Sequence, residues 1–86
     1  MDLNAQVEKL IRDTLALEEI YVKSEGTHVQ VIAVSAEFTE LSRLKREQAV
    51  KRPLADLIAD NTIHALTVKT FTPEQWVRER KFIMPS

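Results

Sequence analysis

The 86-residue chain contains no cysteine, a single glycine and three prolines. Without a thiol it forms no disulfide and offers neither a thiolate nucleophile nor a sulfur ligand for a metal. The lone glycine, Gly26, rules out a Gly-rich loop that cradles phosphate. So little glycine and proline also argues against linkers and disorder. The longest apolar run is Val31–Val34, far short of the roughly 20 residues a spanning helix requires. The N-terminus, with Asp2 already in place, lacks a basic-then-apolar leader pattern, so a cytoplasmic location is expected and no membrane association. One small domain over residues 1–86 fits this length.

The net charge of −1 conceals an uneven distribution. Residues 1–41 hold eight acids against three bases, and residues 54–86 balance at four of each. Between them, Arg43, Lys45, Arg46, Lys51 and Arg52 face only Glu47. A short basic block in an otherwise acidic domain points to a partner of opposite charge or to nucleic acid.

Hydrophobic periodicity outlines the fold. Leu3, Val7, Leu10, Ile11 and Leu15 recur at helical spacing, predicting an amphipathic helix over about residues 2–16. Ile20 and Val22 alternate with Glu19, Tyr21 and Lys23, as in a half-buried strand. Ser24-Glu25-Gly26 supplies a turn, and the β-branched run His28–Ser35 completes a hairpin. Ser42 is placed to cap a helix running to about Val50. Pro53 suits the first turn of another helix, with Leu54, Leu57 and Ile58 on one face until Asp60-Asn61 ends it. Ile63–Phe71 reads as a third strand. Thr72-Pro73-Glu74-Gln75 then forms a capping box that opens a last helix carrying Trp76, an anchor whose indole needs a hydrogen-bond partner once buried.

The order α-β-β-α-α-β-α is an α+β layout. A hairpin followed by a two-helix, right-handed crossover gives a three-stranded mixed sheet with helices on one face, as in type II KH-like domains.

Few residues can carry chemistry. No nucleophile-elbow pattern is present, and Glu18 and Glu19 point to opposite sides of a strand entrance, so the chain does not read as an enzyme. His64, between a helix end and the third strand, is either a ligand for a borderline metal or a half-buried histidine that bonds backbone groups. His28, beside the hairpin turn, is either a second ligand or an exposed strand-edge side chain. Two histidines do not complete a metal site, so any metal needs ligands from another molecule. Arg43 and Arg46 share a helical face, and Lys51 and Arg52 lie at the helix-helix junction. If all five basic residues of the block met phosphates, log K would fall against log salt with a slope of about −4 to −5. A KH domain clamps nucleic acid with Gly-x-x-Gly between its helices, whereas this junction reads Val50-Lys51-Arg52-Pro53.

Three stretches together resemble the BolA-like family. They are Gly26-Thr27-His28-Val29-Gln30-Val31-Ile32-Ala33-Val34, then Phe38-x-x-Leu41-Ser42-Arg43-Leu44-Lys45-Arg46, then Ile58-Ala59-x-x-x-Ile63-His64-Ala65-Leu66-Thr67-Val68-Lys69-Thr70-Phe71-Thr72-Pro73-x-x-Trp76. The likeness spans nearly the whole chain in one register and is nearest to the IbaG-type bacterial subgroup. It implies a non-enzymatic adaptor that pairs with a monothiol glutaredoxin of the Cys-Gly-Phe-Ser type, with glutathione, and shares a 2Fe-2S cluster. Iron-sulfur trafficking, iron homeostasis and stress response are the implied settings. Other members are described as DNA-binding transcription regulators, a role that would fall here to Arg43, Lys45, Arg46, Lys51 and Arg52.

In the family the cluster-ligating histidine matches His64, and a second ligand, His or Cys, comes from the hairpin loop. Lys23-Ser24-Glu25-Gly26-Thr27 offers neither. His28 follows at once, at a position the family keeps separately from that ligand, and is the second candidate. Histidine in place of thiolate raises a cluster's potential and makes ligation proton-sensitive. Glu40 stands where many members have glycine, which restricts the turn into the basic helix. The isoelectric point near 6.1 lies well below that of dedicated nucleic-acid modules and favours the adaptor. Without its partner the chain is expected to be a monomer or weak dimer.

Overall fold

The computed structural model describes residues 2–83. Helix α1 spans Leu3–Thr14 and starts where Asp2 accepts the Ala5 N–H at 2.8 Å. Strands β1 (Glu19–Glu25) and β2 (His28–Val34) pair antiparallel with Glu25 opposite His28. The two-residue turn between them is Gly26-Thr27, and Gly26 adopts φ +62°. Positive φ at the first central residue alone is the mark of a type II′ turn, which glycine enters without strain. Helix α2 (Arg43–Lys51) begins at Ser42, whose hydroxyl accepts the Lys45 N–H. A 3-10 turn (Arg52–Leu54) leads into α3 (Ala55–Ala59), then β3 (Ala65–Phe71) and α4 (Pro73–Ile83).

The sheet order is β1-β2-β3, with β3 parallel to β2 and Val31 opposite Val68. Both outer strands are therefore edges. The mixed three-stranded sheet and the α-β-β-α-α-β-α order are those expected from the sequence.

Alternation along the strands divides the sheet into two faces. Ile20, Val29, Val31 and Ala33 face the main core with Val7 and Ile11 of α1, Val50 of α2, Leu54 of the 3-10 turn and Leu57 of α3. The opposite face receives Trp76 from α4, only 2% exposed, which packs on Tyr21 and Phe71 at ring-centroid distances of 5.6 and 5.4 Å. Three helices thus cover one face, and α4 pins an aromatic cluster to the other. The Trp76 indole N–H is buried with no hydrogen-bond partner among the described residues, contrary to the expectation of one.

Three local departures have physical causes. Residues 36–40, unassigned by periodicity, form a 3-10 turn because buried Ser35 caps it. The Ser35 hydroxyl accepts the Glu37 N–H at 3.1 Å and donates to the Ala16 carbonyl at 2.7 Å. This turn carries Phe38 into the core. Strand β3 starts at Ala65 instead of Ile63, since the Ile63 N–H donates to the Leu57 carbonyl and its side chain is buried. Ile58, expected on the buried face with Leu54 and Leu57, is 40% exposed, because five residues of α3 present only a narrow buried stripe.

Candidate functional site

Both histidines lie at one end of the sheet. The His64 backbone N–H donates to the Thr27 carbonyl at 2.9 Å, and the Ala65 N–H reaches the same oxygen at 3.4 Å. These bonds dock the entrance of β3 onto the hairpin turn. His28 opens β2 directly opposite Ala65, and His64 is the residue just before β3, one position out of register with His28. Both are exposed.

Their surroundings differ. A nitrogen of the His28 ring, Nε2, lies 3.3 Å from the Thr67 hydroxyl, which biases the ring's orientation and leaves Nδ1 uncommitted. Beside it a small recess of about 90 Å³ is lined by Lys23, Ser24, Glu25 and Gln30. The His64 ring makes no hydrogen bond among the described residues. A neutral imidazole with a free lone pair at the protein surface is competent to ligate a metal presented from outside. Among the described residues no three His, Asp or Glu side chains gather into a metal-holding group. The donor set fits a role of supplying one or two ligands to a centre completed by another molecule.

The basic block divides in two. Arg43 and Arg46 line a groove of about 690 Å³, while Lys45, Lys51 and Arg52 lie outside its lining. Arg43 is almost wholly exposed, at 92% of its side chain, and stands 3.8 Å from Glu47. Arg46 is half-buried. Its Nε donates to the Leu41 carbonyl at 3.0 Å, its Nη1 donates to Gln75 Oε1 at 3.1 Å, and its guanidinium lies 6.0 Å from the Phe38 ring centroid. Lys69 and Arg78 complete the basic lining. Sequence reasoning missed both, because neither belongs to a basic run. Only the crossover that returns β3 and α4 beside α2 brings them there.

The junction between α2 and α3 is helical throughout. Lys51 and Arg52 both have right-handed helical backbone, so no open loop presents free amides to a phosphate. Glu40 introduces no left-handed conformation, since Asn61 and Gly26 alone among the described residues have positive φ. No helix of the described residues is long and apolar enough to cross a membrane.

Comparison with known proteins agrees with this architecture. The model of the BolA-like protein family matches residues 4–75. The acid stress protein IbaG of Escherichia coli strain K12 is 44% identical over 78 residues, covering 91% of this chain and 93% of that protein. Human BolA-like protein 2 is 39% identical over 90 residues, covering 94% and 99%. The solution structure of mouse BolA1 superposes with a TM-score of 0.80 at 26% identity, over 92% of this chain and 72% of that one. Family match, sequence identity and shared topology together establish that the chain belongs to the BolA-like family.

Proposed function

We propose that this protein is a non-enzymatic adaptor that binds a monothiol glutaredoxin and, with glutathione, shares a 2Fe-2S cluster with it. The observation that carries the reading is the docking of His64 against the hairpin turn. The bond from its N–H to the Thr27 carbonyl holds an exposed imidazole at the same end of the sheet as His28, where a partner can approach. His64 is the metal ligand in this reading, and His28 the candidate for a second. The cluster supplies electron storage and visible absorption, while this chain supplies a neutral nitrogen donor in place of a thiolate. Ligation by imidazole requires an unprotonated ring nitrogen, so the metal and protons compete for the same site. The name of the E. coli relative, an acid stress protein, accords with a proton-sensitive ligand.

The reading is tested by mixing the protein anaerobically with a monothiol glutaredoxin, glutathione, iron and sulfide. A visible circular dichroism spectrum distinct from that of the glutaredoxin alone is expected. An unaltered spectrum at excess of this protein rules the reading out.

A second reading, a DNA-binding regulator working in the cytoplasm, rests on the exposed side chains of Arg43, Lys45, Lys51 and Arg52 along one connected stretch. The closed helical junction and the acidic remainder of the chain weigh against it.

A further inference from the structure

Strand β3 is an edge, and its outer side is open. The Ala65 N–H and the Phe71 carbonyl both bond toward the β2 side, to Thr27 and Ser35. Because a strand's N–H and C=O groups switch sides at each residue, Leu66, Val68 and Thr70 aim theirs outward. None of these outward groups has a hydrogen-bond partner among the described residues. Open edges of this kind template the addition of another strand unless something blocks them.

The groove along residues 68–71 of this edge is flanked by α2 on one side and α4 on the other. Its charged lining is Arg43, Arg46, Lys69 and Arg78 against Glu47 and Glu79. Arg43 partly neutralises Glu47, and Arg46 is held in place by Leu41 and Gln75. The lining is therefore net positive in a chain whose total charge is −1. From this juxtaposition we propose that the β3 edge is a docking groove for an extended acidic peptide segment of a partner protein, which adds as a fourth strand.

Two features select a peptide over the alternatives. The outward backbone presents donors and acceptors in alternation, and a peptide backbone offers both, whereas a phosphate backbone offers acceptors alone. A second copy pairing edge to edge through β3 would bring Lys69 and Arg43 against their own counterparts, which like-charge repulsion opposes. Side chains of the incoming strand would alternately meet Val68 and Thr70 on the α2 side, with Arg43 at its rim, and Lys69 and Arg78 on the α4 side. The groove lies about 15 Å along β3 from His64, from the rise per residue of a strand, so it does not depend on metal ligation.

The test uses the isotope-labelled full chain and the capped peptide Thr-Glu-Val-Glu-Val-Glu-Thr. We expect amide shifts concentrated at residues 66–70, with slowed hydrogen exchange at Leu66, Val68 and Thr70. The charge reversal of Arg43→Glu combined with Arg78→Glu should weaken binding at least tenfold. Thr70→Pro removes an outward N–H that the fold does not use, so it should abolish binding while the strand persists at an edge. The urea midpoint of each variant reports whether the domain remains folded. Shifts confined to side-chain contacts, with no exchange protection on β3, overturn the proposal. So does preferential binding of a single-stranded oligonucleotide over the peptide, or concentration-dependent self-association through β3.

Discussion

Gln75 accepts two hydrogen bonds at one oxygen, from the Thr72 backbone N–H at 3.0 Å and from the Arg46 guanidinium at 3.1 Å. The first closes the capping box of α4, whose other half is the Gln75 N–H donating to the Thr72 hydroxyl at 3.2 Å. The second ties that box to α2, 29 residues earlier. A single amide thus fixes both where α4 starts and how it lies against the basic helix. Gln75→Ala should cost about 1–2 kcal/mol in urea unfolding. A double-mutant cycle with Arg46→Ala should return a coupling of about 0.5–1 kcal/mol. Strict additivity would show that the two residues act independently.

Trp76 is the anchor of the second face. Trp76→Ala should destabilise by about 3–5 kcal/mol, a large fraction of the stability of so small a domain. Trp76→Phe should cost far less, about 1 kcal/mol. It keeps most of the contact with Tyr21 and Phe71 and removes an indole N–H that is buried without a partner. Equal losses for the two variants would mean that the N–H has a bond worth keeping.

The capping box, the hairpin and the starts of α1, α2 and α4 were legible in the sequence because each has a local signature, whereas which hairpin strand β3 joins was not. Thr72 and Gln75 sit three apart before an apolar run, and Gly26 is the one residue that enters the turn without strain. The 3-10 turn capped by Ser35 was not legible, because its stability comes from a bond to Ala16 made only once the chain has folded. The same holds for the site. His64 and His28 could be singled out as the only two imidazoles, but their shared end of the sheet depends on the parallel register of β2 and β3. Lys69 and Arg78 carry no local signal at all, and only the tertiary crossover places them beside Arg43.

Tyr21 gives a pH dependence of defined sign. Its hydroxyl donates to the Glu19 carboxylate, and this bond, aided by desolvation and by the Glu19 charge, raises its pKa above the ordinary 10.0 despite opposition from Arg80. The neutral phenol is the form favoured by folding. The contribution to stability is therefore complete below about pH 10 and is lost as pH rises through the higher folded value. Tyr21→Phe should flatten the fall in urea midpoint on the alkaline side of pH 10. An identical alkaline slope in the variant would assign that loss to other groups.

Gly26→Ala should cost about 1 kcal/mol. The added methyl would meet no atom within 4 Å, so the penalty comes from the backbone conformation alone. Because the same turn carries Thr27, which holds the His64 N–H, hydrogen exchange at His64 should accelerate in this variant. Unchanged exchange would show that the docking of β3 survives a strained turn.

The decisive measurement is the visible circular dichroism of the anaerobic complex with a monothiol glutaredoxin, glutathione, iron and sulfide, compared between wild type, His64→Ala and His64→Cys. A distinct mixed-complex spectrum should appear with wild type and vanish with His64→Ala. It should return in altered form with His64→Cys, where a thiolate replaces the imidazole and lowers the potential. A spectrum identical in wild type and His64→Ala would contradict the assignment of His64 as the ligand.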